Sequence, residues 1–249
     1  MLFREVELPE RFAAAARAGF RAVEIQFPYA WDKDELAAHA KSAGVEVVLI
    51  NLPAGDADRG ERGIGCLPSR VAEFRDGVGR AIDYAKALGC TQMNCLAGLA
   101  PPDMAGATLR ETFISNLRYA AFELGREGIS LLVEPINTRT MPGFYLHRSD
   151  QAIAIMDAVG IANLKLQYDF FHMQLMEGEL ARTIEANIAR IGHMQIADAP
   201  GRHEPGTGEI DFAFLFGHID RLGYRGWVGA EYVPVGRTED GLAWVRKYL

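Results

Sequence analysis

The sequence predicts an α/β fold built from repeated helix–strand units, and three observations carry that prediction. A helix-like stretch that ends in glycine and is followed within a few residues by an apolar run recurs seven times, at Gly19, Gly44, Gly89, Gly128, Gly160, Gly192 and Gly223. The apolar runs read as buried on both alternating faces, the pattern of parallel strands covered by helices. No Pro/Ser-rich linker or shift in composition divides the 249 residues, so residues 1–249 are expected to form one domain. Glycine suits the position just past a helix because it takes a left-handed backbone at little steric cost. The shared context of all seven separates them from the rest of the 26 glycines.

In chain order, the first helix-like segment begins at about Val6, and the first apolar run covers 22–27. Further runs follow as VEVVLINL (45–52), CTQMNC (90–95), LLVE (131–134), LKLQYD (164–169), HMQIAD (193–198) and GWVGAEY (226–232). Between them, 70–88 carries Val71, Phe74, Val78, Ile82 and Ala85 at helical spacing. Phe113, Leu117, Ala120, Ala121 and Leu124 do the same in 109–124. Asp150 and Asp211 stand where helix N-caps are expected. The longest irregular stretches, 53–68 and 198–209, both follow strand C-termini, where sheets and barrels of this class place their sites. A closed barrel of this class needs eight strands, and only Met1–Phe3 precede the first helix. The residues therefore leave two architectures, an open sheet or a barrel without its first strand.

Composition narrows the function. Lys and Arg total 26 against 33 Asp and Glu, a net charge of −7, which disfavours a phosphate backbone as partner. No apolar stretch is long enough for a membrane span, and the charged N-terminus lacks the core of a signal peptide. Cys66, Cys90 and Cys95 form no CxxC pair and read as buried cytosolic thiols, so a cytoplasmic location is expected. GERGIG (60–65) fits neither a phosphate-binding loop nor a dinucleotide fingerprint, and no GxSxG is present. No nucleotide cofactor is expected.

Polar residues cluster where the late strands end. Glu134 ends LLVE, Asp169 ends LKLQYD, Gln195 lies in HMQIAD and Glu231 ends GWVGAE. Each is about one βα unit from the next, so on neighbouring barrel strands all four converge at the C-terminal mouth. Any one of these acids alone reads equally well as a cap or an ion-pair partner. Three carboxylates brought together repel unless a cation sits between them. A hard divalent ion such as Mg²⁺ or Mn²⁺ suits these oxygen donors better than zinc does. His172, three residues after Asp169, reads equally as a site residue or a structural histidine. Arg202 lies in the loop after Gln195, where it is either solvated or clamps a carboxylate. His193 shares a strand face with Gln195 and lines the cavity deeper down or belongs to the core.

At these residues the chain resembles the hydroxypyruvate isomerase family of the xylose-isomerase-like TIM barrels. The resemblance is carried by VEPIN (133–137), QYDFFHMQLMEGEL (167–180), GHMQIADAPGRHEPGTGEID (192–211) and GWVGAEY (226–232), with NLPAGD (51–56) and GERGIGCLP (60–68). It implies Glu134 and Glu231 as the catalytic pair and Glu134, Asp169, Gln195 and Glu231 as the metal set. It also implies His172 and Arg202 as substrate contacts. The implied reaction interconverts hydroxypyruvate and tartronate semialdehyde; a 2-oxotetronate isomerase, another sugar-acid isomerase or epimerase, and an inosose-type dehydratase are the alternatives on the same barrel. Thr140 stands near where ketose 3-epimerases carry an extra glutamate, which counts against that activity. A small-molecule substrate, no nucleic acid, no membrane and a homo-oligomer are the partner expectations. Family members begin with a strand of roughly the form FSANLS ahead of an MLF-like segment. The resemblance therefore implies a TIM (β/α)8-type barrel lacking most of its first strand, through a start assigned downstream or a shortened protein. A gap, or a short pairing by Met1–Phe3, is expected between 22–27 and 226–232.

Overall fold

The computed structural model describes residues 1–249, and helices alternate with strands along all of it. In order the elements are α1 (Leu8–Arg17), β1 (Ala22–Ile25), α2 (Lys33–Ala43), β2 (Glu46–Asn51), α3 (Val71–Leu88), β3 (Gln92–Cys95), α4 (Gly106–Arg126), β4 (Ser130–Val133), α5 (Ser149–Val159), β5 (Leu164–Asp169), α6 (Phe170–Met176), α7 (Leu180–Asn187), β6 (Ile191–Ile196), α8 (Phe212–Arg221) and β7 (Val228–Ala230). All seven strands are parallel and pair in sequence order, β1 to β7. The sheet curls into a TIM-type barrel that stops one strand short of closure.

The helix ends follow the glycine pattern at six of its seven positions. Gly19, Gly44, Gly89, Gly128, Gly160 and Gly223 all have positive φ. Gly192 departs from it, because it lies inside β6 rather than after a helix. Its role is close packing: a Cβ there would sit 2.8 Å from both Leu132 Cδ2 and Lys165 Cβ. Asp211 caps α8 by accepting from Phe214 N–H, as expected. Asp150 does not cap α5; the Glu177 carboxylate accepts from Ser149 N–H and Oγ–H instead. A side chain from a later segment thus occupies the cap position that local sequence assigned to Asp150.

β2 and β4 bury apolar residues on both faces as their runs suggested, with Val47, Val48, Leu49 and Ile50 in one and Leu131, Leu132 and Val133 in the other all buried; the remaining strands divide their faces. Ile25, Met93, Cys95, Leu131, Val133, Leu166, Tyr168, Met194 and Ile196 pack outward with the helices in one large apolar core. Toward the mouth the alternate residues face the lumen and are polar: Gln167 hydrogen-bonds Gln195, Asn94 bonds Glu134, and Glu24 reaches His193 and Gln195. Strand alternation sends each of these to the inner face. The lumen toward the mouth is thus built for hydrogen bonding, while the outer face supplies most of the packing energy.

Between β1 and β7 lies the expected gap, a mostly apolar cleft of about 750 Å³ lined by Met1–Phe3, Glu24, Gln26 and Gly229 among others. Met1–Phe3 form no strand there. Phe3 instead packs with Ala14, Ala15, Leu242 and Val245 and donates its N–H to Thr238 Oγ1. At this edge a Cβ on Gly229 would fall 1.6 Å from Glu24 Oε1, so any larger residue there would displace the Glu24 carboxylate. No helix is long and apolar enough to cross a membrane.

Candidate active site

Parallel strands set the site geometry. In the β5–β6 register Asp169 is level with Gln195, so both side chains leave on the same face at the same height. Glu134 follows β4 directly and Glu231 follows β7 directly, with Glu231 N–H bonded to Ile196 O. All four expected residues are buried, with exposures of 4% for Glu134, 0% for Asp169, 2% for Gln195 and 7% for Glu231.

Each glutamate is held by a carboxamide from a neighbouring strand end. Asn94 Nδ2 donates to Glu134 Oε2 at 2.7 Å, and Gln26 Nε2 donates to Glu231 Oε1. Arg202 Nη2 donates to the other Glu231 oxygen at 2.6 Å, an ion pair in which both side chains are largely buried. The Arg202 guanidinium also lies over the Phe171 ring, 5.4 Å from its centroid. Its Nε–H is buried without a partner, as is Asp169 Oδ2.

His172 closes the cluster. Its Nε2 lies 3.9 Å from both Glu134 Oε1 and Asp169 Oδ2. Asn137 Nδ2 lies 2.6 Å from Nδ1, and Asn137 N–H also points there. The Asn137 carboxamide orientation is fixed by Arg139 N–H, Thr140 N–H and Thr140 Oγ–H, all donating to its Oδ1. Nδ1 therefore faces only donors and must accept, which leaves the ring proton on Nε2. Burial, reinforced by the Arg202 charge, pushes the His172 pKa down to about 3, so the ring is neutral. A neutral ring with Nε2–H is a donor toward the site and a poor metal ligand.

The carboxylates are shifted the other way. Burial, with the charges of Glu231 and Asp169, raises Glu134 well above the usual carboxylate range. Burial raises Asp169 to about 6, against the pull of Arg202. Glu231 is also raised by burial, with Arg202 opposing. Burial works against the Arg202 charge, but Glu231, Asp169 and Glu134 outweigh it and raise its pKa.

One ligand atom each from Glu134, Asp169 and His172 lie within 4.8 Å of one another, a cluster able to hold a cation. The His172 tautomer shifts that role to oxygen. Asp169 Oδ2 is unpartnered, and the bonded oxygens of Glu134, Glu231 and Gln195 each keep a lone pair. This donor set fits a hard divalent ion.

Several residues of this network lay outside the expected set. Gln26, Asn94 and Asn137 hold the three reactive side chains, and Gln167 donates to Gln195 Oε1 at 2.6 Å. Glu24 accepts from Gln195 Nε2 at 2.7 Å and contacts His193 Nε2 at 2.5 Å. His193 thus lies in the lumen below the mouth, paired with an acid. Asn94 and Gln26 stand at strand ends just as the acids do, and extending the strand-end rule to amides would have found them. Cys66, Cys90 and Cys95 are buried, and burial pushes the Cys66 thiol up to about 12, so they take no part.

The curled parallel sheet, with its acids at the strand ends, defines a barrel whose chemistry sits at one mouth. The chain belongs to the xylose isomerase-like TIM barrel family, whose model matches residues 12–248. It is 51% identical to hydroxypyruvate isomerase of Escherichia coli strain K12, over 100% of this chain and 96% of that protein. It is 46% identical to 2-oxo-tetronate isomerase of Cupriavidus necator, over 100% of this chain and 96% of that protein. The crystal structure of AP endonuclease, family 2 from Brucella melitensis superposes with a TM-score of 0.97 at 44% identity, covering 99% of this chain and 95% of that one. Within this family the chain is an isomerase.

Proposed function

We propose that this chain interconverts hydroxypyruvate and tartronate semialdehyde by moving a proton between adjacent carbons, with Glu134 and Glu231 as the proton carriers. The observation that carries this reading is the pair of buried glutamates, each oriented by its own carboxamide and both close enough to Asp169 to feel its charge. They leave opposite parts of the barrel wall, from the ends of β4 and β7, so a substrate between them meets one on each side.

In the forward direction an ionised glutamate removes a proton from C3 of hydroxypyruvate. The C–H electron pair forms the C2–C3 double bond of an enediolate, and its negative charge falls on the former carbonyl oxygen. His172 Nε2–H is aimed into the site to donate to that oxygen. The protonated glutamate on the other side delivers its proton to C2, and the C3 hydroxyl proton passes to the C2 oxygen, so that C2 carries the hydroxyl and C3 becomes the aldehyde. Arg202 places an unpaired Nε–H beside the Nη2 it commits to Glu231, leaving a donor free for the substrate carboxylate. Glu134, Asp169, Gln195 and Glu231 would hold a divalent ion such as Mg²⁺ or Mn²⁺. When bound, such an ion polarises the carbonyl and stabilises the enediolate charge.

A four-carbon 2-oxo acid is the second reading, favoured by the identity to the Cupriavidus protein. A multi-zinc nuclease is disfavoured, because the one histidine of the cluster presents N–H rather than a lone pair. The test is proton NMR of hydroxypyruvate and of 2-oxotetronate in heavy water, with and without chelator. Exchange at C3 together with an aldehyde product supports the isomerase. Binding without exchange refutes it, and loss of water from the product makes it a dehydratase.

A further inference from the structure

The loop that carries Arg202 is wound around one buried carboxylate, Asp198. Asp198 is fully buried and no cation pairs with it. Its Oδ1 accepts from Ala199 N–H at 2.9 Å and Ile210 N–H at 3.1 Å; its Oδ2 accepts from Gly206 N–H at 2.9 Å and Gly208 N–H at 2.8 Å. The backbone of the same residue clasps the opposite arm of the loop: Asp198 N–H donates to His203 O, and Asp198 O accepts from Arg202 N–H, both at 2.8 Å. Gly208 lies so close that a Cβ would fall 1.9 Å from Ala199 O.

This winding has a consequence at Arg202, whose backbone is held at φ 58, a left-handed conformation that few non-glycine residues adopt. Local preference would not keep Arg202 there; the surrounding bonds must. Arg202 O accepts from Val233 N–H at 2.8 Å, and His203 Nδ1 meets Val233 O at 2.8 Å, so the loop is stitched to the segment that bears Glu231. The guanidinium reaches Glu231 from that backbone, across the Phe171 ring. A carboxylate satisfied by four amides is an expensive way to build a turn, since burying its charge costs more than an ordinary turn residue would. It does fix 198–210 to a single shape.

We infer that Asp198 is a positioning residue for the isomerisation proposed above: it acts through the loop to set the Arg202 guanidinium on Glu231. An asparagine in its place keeps one acceptor oxygen but turns an NH₂ toward two backbone donors, so part of the winding opens.

Two double-mutant cycles test it. In the kinetic cycle, Asp198→Asn is expected to lower kcat/KM for hydroxypyruvate by about 10- to 100-fold. It should lower kcat/KM by less than about threefold more when Arg202→Met is already present. Effects that multiply would overturn the role, because a scaffold residue harms both backgrounds alike. The second cycle needs no activity. In urea unfolding, Arg202→Met and Glu231→Gln should be non-additive by about tenfold in the unfolding constant, and that coupling should vanish in the Asp198→Asn background. Coupling that persists there overturns the role even if the wild type turns over no hydroxypyruvate, a result that would instead sink the isomerase reading. Should Asp198→Asn fail to fold, Gly208→Ala strains the same loop and must give the same outcome in both cycles; additive behaviour there overturns the proposal equally.

Discussion

Replacing Asp169 by asparagine should stabilise the metal-free protein while removing its affinity for a divalent ion. Asp169 is fully buried, and its Oδ2 has no partner. Its pKa rises from 3.8 to about 6, chiefly through burial. At ~1.4 kcal/mol per tenfold change in proton affinity, keeping it ionised costs the fold ~3 kcal/mol. The sign follows from linkage. With the folded pKa above the unfolded one, this contribution to stability is present below pH 4 and lost as pH rises through about 6. His172, pushed down to about 3, gives the opposite slope, since its unfolded form takes up protons that the folded form refuses. Both proteins carry His172, so it cancels in the difference between them. Asparagine keeps an oxygen for the His172 N–H that Asp169 now accepts, so α6 retains its cap. In chelator, the stability of Asp169→Asn relative to wild type should grow from near zero at pH 4 to ~3 kcal/mol above pH 6.5. For a chain of this size that is a Tm difference of ~6–12 °C. Adding Mn²⁺ at pH 7.5 should raise the Tm of the wild type and leave the variant unmoved. Thermal unfolding across pH with and without Mn²⁺ measures all of this. A variant less stable than wild type at pH 7.5 in chelator, or a difference that ignores pH, would refute the reasoning.

Glu134→Gln and Glu231→Gln should each lower kcat by ~10²- to 10⁴-fold with unfolding still cooperative, as expected when a proton carrier is lost; near-normal turnover in either removes it from the mechanism. Asn94→Leu strips Glu134 of its donor, and leaving that buried acceptor unpaired should cost ~1–3 kcal/mol in urea unfolding along with a drop in kcat. An unchanged kcat would mean that Glu134 needs no such orientation. Gly192→Ala places a methyl group 2.8 Å from Leu132 and Lys165 and should destabilise by ~1–3 kcal/mol without raising KM. A Tm equal to wild type would show that β4, β5 and β6 yield freely at that point.

The seven strands, their order and the acids at their ends were legible because each is announced locally, by a glycine after a helix and an apolar run before a charge. Six of the seven glycines bore out this pattern, and Gly192 did not, because a glycine that answers to a neighbouring strand looks the same in sequence as one that ends a helix. The polar lumen was missed for a related reason. Gln26, Asn94, Gln167 and Glu24 sit in otherwise apolar strands, and nothing local says that their partners lie on other strands, in one case 171 residues away. His172 could not be assigned from spacing alone; its tautomer is set by Asn137, within the quoted VEPIN but 35 residues earlier. Asp150 failed as a cap because the competing carboxylate, Glu177, arrives from the far side of the next strand.

Charge at the mouth links the fold to the proposed chemistry. Glu134, Asp169 and Glu231 bring three buried carboxylates against the guanidinium of Arg202, with His172 neutral. An incoming 2-oxo acid adds another negative charge, and the enediolate adds one more beside it. Arg202 cannot serve all of these, since its Nη2 is committed to Glu231. A divalent ion among the oxygens would offset two of the charges and lower the raised pKa values of Glu134 and Asp169 toward their ordinary range. The same ion would weaken each coordinating glutamate as a base, so acidifying the substrate C–H must outweigh that loss. The two requirements meet if substrate and ion bind as a unit. Hydroxypyruvate should then bind more tightly with Mn²⁺ present, and Mn²⁺ more tightly with hydroxypyruvate by the same factor. Titration calorimetry of the wild type, with the non-isomerisable 2-oxo acid pyruvate standing in for hydroxypyruvate, measures both factors. Affinities that do not respond to each other would separate the ion from the substrate and leave Arg202 and His172 to hold the anion alone.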